Sequence, residues 1–157
     1  MAYNPVVEVA IRDFRSDDFE QLWAIDQECF PADIAYSKAE LMHYIRRPAA
    51  FTIIAELDRS IAGFTVGEMI RQRGHLITLD VLEPFRRHSI GSKLMVAAET
   101  RFREKGCLAV FLETAVNNVP AIAFYNRHEY VVVKTIPRYY HGTLDALLMG
   151  KKLVSEK

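Results

Sequence analysis

The chain has no surplus of either charge. Lys plus Arg number 20 and Asp plus Glu number 20. Proteins that hold nucleic acid by neutralising phosphates carry an excess of Lys and Arg, so nucleic acid is not an expected partner. Any anion must be met locally, by a few placed donors. Cysteine is scarce too: Cys29 and Cys107 are the only two, at no metal-like or redox-like spacing. Two cysteines build no disulfide framework, and a reducing, cytoplasmic setting is the simpler expectation. No apolar run approaches the roughly 20 residues that a membrane span needs. Met1–Arg12 is punctuated by Pro5, Glu8 and Arg12, so it does not read as a signal peptide. What the chain has is 157 residues, half of them hydrophobic. That suits one domain, 1–157, with a proper core.

The residue pattern alternates between two periods. Val6–Ile11 reads as an opening strand. Ser16, with Asp17 and Asp18 after it, reads as a helix start. Phe19, Leu22, Trp23, Cys29 and Phe30 follow as a helical stripe with one gap at Asp26, and Pro31 stops it. Ser37 caps a short helix over Lys38–Arg46. Phe51–Leu57, Ile61–Met69 and His75–Val81 form a three-strand meander, with turns at Asp58–Ser60 and Arg71–Gly74. Ile90, Leu94, Ala98 and Phe102 share a helix face that closes at Gly106. Cys107–Thr114 is apolar on both alternations, as in a strand buried on both faces. Asn118 and Pro120 open a further helix, whose Ala121, Phe124, Tyr125 and His128 share a face. Val131–Ile136 and Ala146–Leu153 close the chain as strands, joined across Arg138–Gly142. This order predicts a single-domain α/β fold with a mixed sheet.

Between Val81 and Ile90 runs Pro84-Phe85-Arg86-Arg87-His88-Ser89, followed by Gly91, Ser92 and Lys93. A helix N-terminus has unpaired N–H groups and partial positive charge. Small residues at Ser89 and Gly91 let an anion approach that backbone, and Arg86, Arg87 and Lys93 add charge. By itself the loop fits an anion seat and an ordinary turn with solvated arginines equally. The order of a P-loop is absent, and so are the glycines of a dinucleotide fingerprint.

Arg86-x-x-Ser89-x-Gly91, preceded by Leu79-Asp80-Val81-Leu82-Glu83-Pro84-Phe85, resembles the acyl-CoA loop of the GNAT N-acetyltransferase superfamily. Ser89 stands where that family usually has glycine. The order of elements is similar from end to end. The resemblance implies a mostly antiparallel sheet flanked by helices, with a splayed strand pair that binds acetyl-CoA. It assigns cofactor contacts to Leu79, Val81, Arg86, Arg87, His88, Ser89, Gly91, Ser92 and Asn118. It also implies that a backbone N–H at the end of the strand carrying Val81 meets the thioester oxygen.

Leu112-Glu113, Asn118, Ala121 and Phe124-Tyr125 resemble a segment of the N-terminal protein acetyltransferases, among which the bacterial ribosomal-protein alanine acetyltransferases are the nearest branch. That likeness implies Glu113 as general base, Asn118 on the pantetheine arm and Tyr125 as general acid. Downstream, Glu129-Tyr130 replaces the usual Gly-Phe. The chemistry suits these types. An α-amino group has a reference pKa of about 7.7–8.0 and must lose a proton before its nitrogen attacks. The departing thiolate needs a donor, and no metal is needed. The plain structural alternatives are a strand-end carboxylate for Glu113 and a core aromatic for Tyr125. His75 is a rival or auxiliary base in the family pattern, or a surface residue at a turn. Cys107 reads as strand packing, since no neighbour in sequence lowers its pKa.

Arg138-Tyr139-Tyr140 with Gly142 and Asp145 resembles the Tyr-Tyr hairpin of N-terminal acetyltransferases, and Phe30-Pro31 to Tyr36 resembles their substrate loop. The likeness implies a wall over the first residues of a peptide; simple cross-strand pairing of the tyrosines is the alternative. Three functions follow: transfer to a protein N-terminus, transfer to a small amine, and catalytically silent acyl-CoA binding. Glu113 and Tyr125 argue against the last, because a pure binder has no use for a base and an acid.

Overall fold

The computed structural model describes residues 8–86 and 89–153. The chain runs through β1 (Val9–Asp13), α1 (Phe19–Cys29), α2 (Lys38–Arg46), β2 (Ala50–Leu57), β3 (Ser60–Ile70) and β4 (Arg73–Val81). It continues through α3 (Ile90–Glu104), β5 (Ala109–Ala115), α4 (Val119–Arg127), β6 (Val131–Tyr140) and β7 (Leu144–Lys152). The strands form one sheet in the order β1-β2-β3-β4-β5-β7-β6. Every neighbouring pair is antiparallel except β4 with β5.

Period-two alternation sends neighbouring side chains to opposite faces of this sheet. Ile53 and Ala55 of β2 join a core under α3, built on Ile90, Leu94, Met95, Ala98 and Phe102. Ile54, between them, joins a second core with Leu22, Ile25 and Leu41 from α1 and α2, and Phe64 and Val66 from β3. Among the described residues, no helix is long and apolar enough to cross a membrane.

Local chemistry explains the turns. Asp58 and Arg59 both have positive φ (51° and 65°), the two-residue primed turn that matches strand twist. His141 and Gly142 (50° and 72°) do the same between β6 and β7, where Thr143 N–H donates to Tyr140 O at 3.1 Å. Ser37 accepts from Glu40 N–H while Glu40 accepts from Ser37 N–H, a full capping box on α2. Gly106, at φ 83°, stands just past α3.

Four sequence expectations need correction. Among the described residues β1 spans Val9–Asp13, so it runs past Ile11; Val6 and Val7 of the expected strand lie outside the described residues. Ser16 is not the helix cap: Ser16–Asp18 form a 3₁₀ turn, and the Asp18 carboxylate accepts from Arg15 N–H at 2.7 Å. Arg12 from β1 clasps the same carboxylate at 2.8 and 2.9 Å and holds it below the usual carboxylate range. β5 is not buried on both faces. Val110, Leu112 and Thr114 are buried, whereas Ala109, Phe111 and Glu113 are half-exposed, because the face carrying Glu113 opens on a cleft. Finally, β6 does not end at Ile136 but reaches Tyr140. Pro137 is tolerated because the register skips from Ile136 to Tyr140 on an edge strand, where no ladder N–H is missed.

Parallel pairing of β4 with β5 is confined to Arg73↔Ala109, Gly74↔Val110 and His75↔Phe111. β4 nevertheless continues to Val81 and β5 to Ala115. Beyond His75 the two strands splay. A bulge contributes: Val66 pairs with Thr78 and Gly67 with Leu76, leaving Ile77 unpaired, and bulges bend and twist their strand.

Candidate active site

The splay opens a cleft of about 850 Å³, with α3 at one end and the aromatic loops at the other. Gly63 makes the β4 wall possible, since a Cβ there would lie 2.5 Å from Asp80 O and 3.2 Å from Val81 Cα. Leu79, Val81, Arg86, Ser89, Gly91, Ser92 and Asn118 all line the cleft. Arg87 and His88 lie outside the described residues.

The first helical hydrogen bond of α3 runs from Lys93 N–H to Ser89 O, and no side chain caps the first turn. The amides of Ile90, Gly91 and Ser92 thus have no partner within the helix. Gly91 packs against Phe124, whose ring would stand 3.2 Å from a Cβ. Ser92 Oγ lies 2.9 Å from His128 Nε2. Arg86 turns back and donates from Nε to Val81 O at 2.9 Å, locking the loop that its charge also serves. Free amides, dipole and guanidinium together fit an anionic diphosphate. Asn118 caps α4 by accepting from Ala121 N–H at 3.2 Å.

Ser89 has φ 59° and ψ 21°, the left-handed conformation that favours glycine. Serine keeps the amide but bears strain of about 1 kcal/mol. Ser89→Gly is therefore expected to raise unfolding free energy by about 1 kcal/mol. Denaturant titration checks this, and an unchanged midpoint would remove the strain argument.

At the floor, Glu113 Oε2 lies 2.7 Å from His75 Nε2. His75 is half-buried and stands beside Glu113, so the reading of it as a surface residue at a turn does not hold. Tyr125 is buried beside Phe124 and Tyr130, with ring centroids 5.4 and 6.1 Å away. Burial, with the Asp80 carboxyl, pushes its phenol up, so it keeps its proton.

Phe30, Tyr36, Tyr139 and Tyr140 line the far end. Phe30 takes the extended conformation required before Pro31. Tyr36 Oη donates to Ile77 O at 3.4 Å, and its ring lies 5.3 Å from that of Tyr44. Tyr139 and Tyr140 sit edge to face at 4.9 Å on one strand rather than across two. Burial pushes the Tyr139 phenol up to about 12, with Glu113 adding to it. The Tyr140 phenol is raised by burial, then by Tyr139 and Glu113.

Neither cysteine is activated. Cys29 donates to Val81 O at 3.4 Å, and burial pushes its thiol up to about 12. Burial likewise raises that of Cys107. Sequence reasoning missed Asp26 and Asp80, two buried carboxyls at the junction of α1 and β4. The signal was available, since Asp26 interrupts an otherwise apolar helical stripe.

The cleft thus joins a strand-to-helix corner with unpaired amides, a splayed parallel pair, and a carboxylate and a buried phenol in its lining. The chain belongs to the acetyltransferase (GNAT) family, which matches residues 11–130. It is therefore an acetyltransferase, and acetyl-CoA is the usual acyl donor of its family. It is similar to an uncharacterised N-acetyltransferase of Methanocaldococcus jannaschii, 34% identical over 94% of both chains. An N-alpha-acetyltransferase of Saccharolobus solfataricus is 26% identical over 93% of this chain and 94% of that one. The crystal structure of Ard1 from Thermoplasma volcanium superposes with a TM-score of 0.86 at 29% identity, covering 94% of this chain and 99% of the other.

Proposed function

We propose that residues 1–157 act as one catalytic domain that acetylates the N-terminal α-amino group of a protein. The observation that carries this reading is the composition of the cleft. One end offers free amides for a diphosphate, and the other offers Phe30, Tyr36, Tyr139 and Tyr140 around the approach to Glu113. An aromatic wall suits a peptide backbone, gripped through phenol hydroxyls. The archaeal relative named N-alpha-acetyltransferase supports the same substrate class.

When bound, acetyl-CoA supplies the activated acetyl group as a thioester. The amides of Ile90, Gly91 and Ser92 with Arg86 would hold its anionic end, and Asn118, Leu79 and Val81 are the further cleft residues that would hold it. Arg87 and His88 complete the loop in sequence. Glu113 has Oε2 committed to His75, which leaves Oε1 to take a proton from the acceptor ammonium, directly or through water. His75 holds that carboxylate in place. Tyr125 keeps a proton on Oη at neutral pH, the proton that the sulfur would take as the C–S bond breaks and the C–N bond to the amine forms.

Thiol release across short peptides with varied first residues, beside polyamines and amino sugars, tests the substrate. Turnover is expected on a subset of the peptides. Release with small amines alone would replace the acceptor with a small molecule. Binding without any release would leave acyl-CoA binding as the function.

A further inference from the structure

Asp26 on α1 and Asp80 on β4 are both essentially excluded from solvent. Their carboxyls lie within hydrogen-bonding reach of each other. Each has one oxygen served by a donor. Tyr36 N–H donates to Asp26 Oδ2 at 2.8 Å, and Thr78 Oγ1 donates to Asp80 Oδ1. Each also has one buried oxygen, Asp26 Oδ1 and Asp80 Oδ2, that receives no donor from the described residues. A buried carboxylate without a donor or counter-ion is costly. Arg86 acts on Asp80, but its Nε is already bound to Val81 O. One proton placed between the two carboxyls would satisfy both orphaned oxygens.

We propose that Asp26 and Asp80 share a single proton, and that this bridge is a positioning device fixing the acceptor wall against the acyl site. The linkage is short. Tyr36 is tied to α1 by its N–H to Asp26 and by its carbonyl, which accepts from Trp23 Nε1 at 3.3 Å and Gln27 Nε2 at 2.7 Å. α1 is tied to β4 by the carboxyl pair and by Cys29 Sγ donating to Val81 O. The distance between Tyr36 and β4 is thus set by the bridge together with the long contact of Tyr36 Oη with Ile77 O at 3.4 Å.

The groups facing the pair are Cys29 of α1, Tyr36 of the linker, Glu40 of α2, Thr78 of β4, Arg86 of the loop and Tyr125 of α4. Asp80 is raised well above the carboxylate range by burial first and then by Asp26. Asp26 is raised by burial, against the opposing Tyr36 amide. Above the ordinary carboxylate range, a folded pair that shares a proton keeps one that the unfolded chain releases. Its stabilisation is complete at low pH and is lost as pH rises through the folded value.

The positioning role rests on the acetyl-transfer reading, whereas the shared proton does not, so the test has two arms. Infrared spectra at neutral pH are expected to show a protonated-carboxyl carbonyl band that Asp80→Asn abolishes. Melting temperature is expected to fall as pH rises above the ordinary carboxylate range in the native protein. It should fall less steeply in Asp80→Asn, whose amide donates to Asp26 without a proton to lose. Absence of that band, or identical slopes, overturns the bridge whatever the substrate. In the kinetic arm, Asp80→Ala is expected to raise acceptor KM about tenfold with little change in acetyl-CoA binding. Asp80→Asn should restore most of that loss. Equal defects in Asn and Ala would overturn the positioning role.

Discussion

Tyr125→Phe is expected to lower turnover roughly 10²- to 10³-fold while leaving acetyl-CoA binding within about twofold. The substitution removes one hydroxyl and keeps the ring. That ring packs between Phe124 and Tyr130 in the core under α3, so the local structure survives the change. Phe124, the neighbour that backs Gly91, is untouched, and so is the anion seat. The lost atom is the proton source. Because burial raises the phenol, native Tyr125 stays protonated across the neutral range, and loss of the acid appears in kcat rather than in binding. Single-turnover thiol release with calorimetric titration of acetyl-CoA separates the two. Native turnover in the variant would remove Tyr125 as the acid and leave Glu113 with its His75 partner to be tested alone.

Lys151→Met should cost about 3–5 kcal/mol of stability and lower the melting temperature by about 10 °C, with no direct effect on the cleft. Lys151 Nζ lies 3.0 Å from Glu99 Oε1, and Tyr130 Oη donates to Glu99 Oε2 at 2.8 Å. The side chains of Glu99 and Lys151 are only 5% and 14% exposed, so the loss of Lys151 strands a buried carboxylate. Adding Glu99→Gln is expected to recover much of the loss, because a neutral amide still accepts from Tyr130. A single variant that melts within a degree or two of the native protein would show that water reaches Glu99.

This triad accounts for one departure from the family pattern. Tyr130 stands where the family usually has phenylalanine, and its hydroxyl serves Glu99 between α3 and β7. The preceding Glu129 has φ 71°, a position that glycine would occupy without strain. Ser89 is the parallel case at the other end of the cleft. At both sites the sequence showed that glycine was missing, and the backbone shows that a left-handed conformation was kept regardless.

Much of the architecture was legible because it is local. The Ser37 cap, the apolar face from Ile90 to Phe102, and the turns at Asp58 and Gly142 depend on neighbours within a few positions. The anion loop was legible for the same reason, since Arg86, Ser89 and Gly91 lie on one corner. The end of β6 was not legible. Pro137 argues against a strand unless the strand is known to lie on an edge, and edge position belongs to the sheet. The exposed face of β5 was hidden likewise, because an apolar run does not say which face a cleft will use.

Residue order by itself determined the succession of strands and helices, the balance of charge and the small, basic strand-to-helix corner, because periodicity, capping and helix dipoles act over single turns. Only the tertiary structure decided which distant side chains meet. His75 reaches Glu113 because β4 and β5 pair for three residues and then part. Asp26 reaches Asp80 because α1 lies across β4. Contacts of this kind are set by the packing of whole elements, and no stretch of sequence contains both partners.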